Sequence, residues 1–181
     1  MYIIFGNYGD ETLALIQWAF EHKLKNLTVV SIDTGFAAPH WPEHVTRSRT
    51  WAESLGMQTE HLTAKPDFAT LIREQREFPS KKFQWCAGFL KGLTFNHWLD
   101  THDPQGKATI LLARRRASSK IQQDLPEFID ESEHFDERKI WHPLYQHTDA
   151  ERDLLLKNAG LTPLHHRSLE CDHVLTVMQM I

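Results

Sequence analysis

The chain predicts an α/β fold in which a mostly parallel sheet is covered by helices. Short apolar runs at residues 1–5, 27–32 and 108–113 have the length and character of buried strands. Each of the first two runs into a stretch with helical apolar spacing. All three end in loops rich in glycine, aspartate or arginine. Strands alternating with helices imply βαβ units and hence a parallel sheet. In such sheets ligands bind beyond the carboxyl ends of the strands, near the switch in strand order.

Met1–Phe5 reads as the first strand. Thr12–Lys23 reads as a helix with Leu13, Ile16 and Phe20 on one face. Leu27–Ile32 is the second strand, closed by Asp33-Thr34-Gly35. A helix follows from about Pro42 to Leu55, because proline is favoured in a first turn, and Gly56 stops it. Gln58–Leu62 is a third strand and Asp67–Arg76 a helix. Gln84–His102 reads as a longer helix, with Trp85, Phe89, Leu93 or Leu90, and Trp98 apolar, although Gly88 and Gly92 disfavour helix. Ala108–Ala113 is the fourth strand and Ser118–Gln123 a short helix. Phe128–Leu144 is polar and reads as irregular or hairpin-like. Asp149–Ala159 is the last helix, opened by a capping box of Thr148 and Glu151 and ended by Gly160.

The bulk properties set limits. A chain of 181 residues fits one domain, taken as 1–181, with no repeat or linker. The net charge of −4 argues against a general nucleic-acid or membrane-surface coat, while a local basic patch leaves nucleic acid open. No stretch approaches the ~20 apolar residues of a membrane span. No signal peptide is visible, and two distant cysteines, Cys86 and Cys171, do not suggest a disulfide framework, so a cytoplasmic setting is expected.

Three loops carry the chemistry. Gly6-Asn7-Tyr8-Gly9-Asp10-Glu11-Thr12 joins a strand to a helix, which turns backbone N–H groups toward a phosphate. It matches neither the Walker nor the dinucleotide glycine pattern. It is equally a plain strand-to-helix turn whose acids favour the helix N-terminus. Asp33-Thr34-Gly35 is either a ribose or metal contact or an Asx-type turn closed by Gly35. Arg114-Arg115-Arg116 after a buried strand suits phosphate or sulfate through bidentate pairing, or forms a solvated charge run.

Cys86 follows Lys81 and Lys82 near a predicted helix start, where a thiol loses its proton more easily. It reads as a nucleophile or sulfur carrier, as one ligand of a metal site with Cys171, His165, His166 and His173, or as a buried structural cysteine. A four-cysteine iron–sulfur cluster is excluded within one chain. The apolar run Val174–Ile181 is a final strand or an interface with a second chain.

The order of these segments resembles the adenine nucleotide alpha-hydrolase superfamily, and within it the phosphoadenosine phosphosulfate (PAPS) reductase-like branch. The carrying residues are Asn7–Thr12, Asp33-Thr34-Gly35, Phe83–Lys91 with Cys86, Arg114-Arg115 with Ser118, Trp141-His142-Pro143-Leu144 and His166–Cys171. The resemblance implies a three-layer sandwich around a mostly parallel five-stranded sheet of the HUP or Rossmann-like kind. It implies ATP or a PAPS-like adenine nucleotide, with Mg²⁺ if ATP, bound by Gly6, Asn7, Gly9, Asp10, Glu11, Thr12, Asp33, Thr34 and Gly35. It implies Cys86 as the reacting thiol and Arg114 and Arg115 against an anionic group. Where the family often has lysine, this chain has Asp10 followed by Glu11, and Leu112, Arg116 and Ala117 also depart from the arginine-segment pattern. Two carboxylates beside a triphosphate repel it unless a cation intervenes. Two readings follow: an adenylating or sulfonucleotide-reducing protein, or a degenerate member that keeps the fold as a scaffold or regulatory partner.

Overall fold

The strands pair in the order β3-β2-β1-β4-β6-β5, with β1 Tyr2–Phe5, β2 Leu27–Asp33, β3 Gln58–Thr63, β4 Thr109–Leu111, β5 Phe128–Ser132 and β6 Arg138–Trp141. This computed structural model describes residues 1–79, 87–118 and 120–164. Every neighbouring pair is parallel except β5 with β6. The chain runs from β1 outward to β3 and then returns to the other side of β1 with β4. The reversal of strand order therefore lies between β1 and β4.

Among the described residues the sheet has six strands rather than the five implied by resemblance. The extra one is β5, which turns through Glu133–Phe135 and pairs with β6 as an edge hairpin. Its side chains are mostly exposed, so it lacks the apolar run that marks a central strand.

Among the described residues, five α-helices cover the sheet: α1 Asp10–Glu21, α2 Trp41–Ser54, α3 Phe68–Gln75, α4 Leu93–His102 and α5 Asp149–Asn158. Strand alternation divides the core into two layers. Ile4, Val29 and Leu111 pack with residues of α1, α2 and α5, whereas Ile3, Val30 and Ile110 pack with Phe95, Trp98 and Leu99 of α4. The three-layer sandwich is thus present. Among the described residues, no helix is long and apolar enough to cross a membrane.

Two helices differ from the sequence pattern. Helix α1 starts at Asp10 and is buried on nearly every side from Thr12 to Ala19, while Phe20, expected on the buried face, is exposed. Helix α5 packs over α1 and covers the side that solvent would otherwise reach. Residues 87–92 form a π-helical turn before α4. The wider turn shifts the phase, so Phe89 and Leu93 point to solvent while Leu90, Phe95, Trp98 and Leu99 are buried. Trp85, Cys86, Cys171 and the run 174–181 lie outside the described residues.

Candidate functional site

The loops after β1 and β4 meet at the reversal of strand order, where open α/β sheets place their ligands. The first is shaped by its own side chains. The Asn7 carboxamide oxygen accepts the Gly9 N–H at 3.1 Å, which closes an Asx turn. Tyr8 between them has φ 63° and is fully buried, packed in the cluster with Trp41 and Val45. Its carbonyl accepts from His44 Nε2 at 2.8 Å, and burial pushes the phenol pKa upward. Gly9 then stands at the N-cap of α1, where it has no side chain to cap the helix.

Gly6 is required for a packing reason. A Cβ there would lie 3.1 Å from Thr12 Cβ and overlap Thr12 Oγ1 and Cγ2. Gly6→Ala is expected to cost about 1–3 kcal/mol of stability. Adding Thr12→Ala should recover most of that loss in a chemical denaturation series, because the clash is with the Thr12 branch.

The loop acids are engaged within the fold. Both carboxylate oxygens of Glu11 pair with Arg115, at 2.7 Å to Nε and 2.8 Å to Nη2, and Arg152 Nη1 adds a third contact at 3.1 Å. Arg115 is 1% exposed and also donates to the His147 carbonyl at 3.0 Å and to Asp149 at 2.7 Å. Burial disfavours its charge, but Glu11 and Asp149 outweigh burial and hold its pKa above the ordinary value. Both oxygens of Asp10 accept the Leu164 N–H, at 3.0 and 3.2 Å. Burial raises the Asp10 pKa against that hydrogen bond. Arg152, Asp149 and Leu164 were not candidates by sequence; they lie in or after α5 and reach the loop only through packing.

The second loop is held as a turn. Asp33 Oδ1 accepts the Gly35 N–H at 2.8 Å, and Gly35 has φ 72°. The Thr34 carbonyl accepts the Phe68 N–H at 2.9 Å, which ties the loop to the start of α3. Upstream, Ser31 is buried and contacts His61 Nδ1 at 2.8 Å. The three loops are therefore arrayed along one edge of the sheet.

In the third loop the arginines part company. Arg116 is exposed, lies over the Tyr145 ring at 5.0 Å and donates to the Leu125 carbonyl. Ser118 Oγ lies 2.6 Å from the Arg115 carbonyl. Arg114 is half-buried and, among the described residues, its guanidinium has no hydrogen-bond or ion-pair partner. Burial alone lowers its pKa to about 10. It is a cation taken partly out of water, with no anion paired to it among the described residues.

His142, just past β6, is the neighbouring residue that the candidate set omits, although it stands in the Trp-His-Pro-Leu segment. It is fully buried, and Nδ1 contacts the Pro126 carbonyl at 2.8 Å. Burial, with Arg114 nearby, pushes its pKa down to about 4. The unfolded ring binds a proton near pH 6.5 and the folded ring near pH 4, so stability falls as pH drops through that window. The expected loss is on the order of 3 kcal/mol, complete below pH 4. Urea midpoints measured from pH 7 to pH 4 should show this loss in the wild type and a flatter profile in His142→Gln.

The described residues contain no group of three or more His, Cys, Asp or Glu side chains that could hold an ion, and the oxygens of Asp10 and Glu11 already have partners. The start of α1 and the half-buried cation Arg114 are groups that suit an anion.

No protein-family model matches the chain, and no curated protein matches its sequence. Solved structures do. PAPS reductase from Candida auris, in a phosphate complex, is 16% identical with a TM-score of 0.63, over 90% of this chain and 74% of that one. NMN synthetase from Francisella tularensis is 11% identical with a TM-score of 0.59, over 89% of this chain and 62% of that one. The U34-tRNA thiolase NcsA from Methanococcus maripaludis, with its [4Fe-4S] cluster, is 13% identical with a TM-score of 0.60, over 99% of this chain and 64% of that one. This chain spans less than two thirds of the last two proteins. At these identities the likeness concerns architecture. The chain shares the α/β fold of these solved structures, the architecture that the order of its loops predicts.

Proposed function

We propose that the chain binds an adenine nucleotide across the carboxyl ends of β1 and β4. The phosphates face the loop 6–12 and the start of α1, the adenosine half lies toward Ser31–Gly35, and Arg114 meets an anionic oxygen. One observation carries this reading: Arg114 is half-buried at the reversal of strand order and has no partner among the described residues. A desolvated cation without a partner is costly unless a ligand supplies the anion. The Glu11–Arg115 pair fixes the adjacent backbone against the first turn of α1. It also offsets the charge of Glu11, which would otherwise repel phosphate. Mg²⁺, where ATP is the ligand, would be held chiefly by the phosphates, with Cys86 as a reacting thiol only in a sulfur-transfer reaction. Setting and partners beyond the nucleotide follow the sequence expectation of a cytoplasmic protein.

A second reading is favoured by the same ion pairs. Asp10, Glu11 and Arg115 hold the loops to α5 and to the segment after it, so the loop groups nearest a phosphate serve the fold. A degenerate member kept as a scaffold or regulatory partner would look like this. Isothermal calorimetry with ATP, AMP and PAPS, each with and without Mg²⁺, separates the two. Binding at micromolar to millimolar ligand supports the first; no heat with any nucleotide at millimolar concentration leaves only the second.

A further inference from the structure

The loop after β1 is held by a side chain of α2 as well as by its own. Tyr8 has φ 63°, in the left-handed region that a bulky aromatic residue rarely adopts. Such a conformation persists only where the surroundings over-determine it. Three contacts do so here. The Tyr8 side chain is fully buried in the cluster that includes Trp41 and Val45 of α2. The Gly9 N–H donates to Asn7 Oδ1 at 3.1 Å. His44 Nε2 of α2 donates to the Tyr8 carbonyl at 2.8 Å. The last two contacts fall on one planar peptide unit, whose C=O and N–H point in opposite directions. Both ends of the Tyr8–Gly9 unit are therefore fixed, one by the loop itself and one by α2.

His44 is in turn held by its own helix. It is half-buried and stands one turn after the buried Trp41, with ring centroids 4.6 Å apart and planes at 33°. A carbonyl oxygen only accepts, so Nε2 carries the proton in the contact with Tyr8. Gly9 comes next in the chain, and its carbonyl accepts the Leu13 N–H at 2.9 Å, the first bond of α1. The orientation of the Tyr8–Gly9 unit thus sets how the chain enters α1 and where the first-turn N–H groups aim. We propose that His44 is a positioning residue for this loop: it locks the Tyr8–Gly9 peptide, and with it the start of α1, in the conformation that receives phosphate. The role toward phosphate rests on the nucleotide reading above, while the lock rests on contacts within the protein. A unit free to turn would exchange the N–H at Asn7 for a carbonyl oxygen and leave only a fraction of the loops competent. Apparent affinity falls by that same fraction.

Two measurements on the full chain test this. Amide hydrogen exchange without ligand should show Gly9 exchanging at least about fivefold faster in His44→Leu than in the wild type, with the amides of β1 and β4 unchanged. Calorimetric titration should show ATP binding about tenfold more weakly in the same variant, the loss expected if about a tenth of the loops stay locked. His44→Gln places an amide donor near the position of Nε2, so it should restore both Gly9 protection and ATP affinity. A residue that only packed against Trp41 would not be rescued in this way. In the wild type, the ¹⁵N resonances of the neutral His44 ring should show the proton on Nε2. Unchanged Gly9 exchange in His44→Leu, no rescue by glutamine, or a proton on Nδ1 overturns the lock. ATP bound by His44→Leu as tightly as by the wild type overturns the positioning role and leaves the nucleotide reading standing. No ATP binding by the wild type sinks the nucleotide reading, and faster Gly9 exchange in His44→Leu then leaves the lock standing on its own.

Discussion

Arg115→Met should destabilise the fold by about 3 kcal/mol and leave the m-value of urea unfolding unchanged. The guanidinium is almost fully buried and saturates Glu11, the His147 carbonyl and Asp149. Removing one partner of a buried ion pair costs about 3–5 kcal/mol, because the other charge is left uncompensated. The lower end applies here. Glu11 is 32% exposed and keeps its contact with Arg152, and Asp149 is 69% exposed, so water screens much of what Asp149 contributes. Glu11→Gln in the same background should recover part of the loss, since it removes the stranded carboxylate. A double-mutant cycle should therefore give a coupling of roughly 1–3 kcal/mol. A single variant within about 0.5 kcal/mol of wild type would mean that the network contributes nothing measurable.

The sequence pattern places Arg115 beside a bound anion, and it could not reveal the pair that occupies it. Glu11 and Arg115 are 104 residues apart, Glu11 and Arg152 are 141 apart, and Asp10 and Leu164 are 154 apart. Local spacing carries no record of such contacts. The alternation of strand and helix is different in kind. It is written in short apolar runs such as Ile3-Ile4 and Val29-Val30, whose side chains serve both faces of one sheet. The capping box at Thr148 and Glu151 was legible because all its atoms lie within one turn. The strand β5 was not, because an exposed edge strand has no apolar requirement to display. The phase of the helix after residue 86 was not either, because one π-helical turn rotates every later position. For the site, the position of the three loops was legible and the division of labour among the arginines was not, since Arg114 and Arg115 are chemically identical until burial and partners separate them.

That separation gives Arg114 effects of opposite sign on stability and binding. Arg114→Met should raise the unfolding midpoint of the free protein, because the native cation is desolvated and unpaired and methionine fills similar space without that penalty. A gain of at most about 1 kcal/mol is expected, because the guanidinium is only half-buried and its nitrogens are not enclosed. The same change should weaken nucleotide binding by at least about tenfold, since a charge-assisted hydrogen bond to a phosphate contributes roughly 1.5–3 kcal/mol. Ligand raises the midpoint only in a protein that binds it, so the order of the two thermal midpoints should invert when nucleotide is added at a hundred times the wild-type Kd. A general packing defect would lower both midpoints, and a surface arginine of no consequence would move neither. Inversion requires a cation that the fold tolerates at a cost and the ligand repays, which is the physical content of a binding residue. If Arg114→Met lowers the free-protein midpoint instead, then the cation has a stabilising role in the fold and the anion site must lie elsewhere along the crevice.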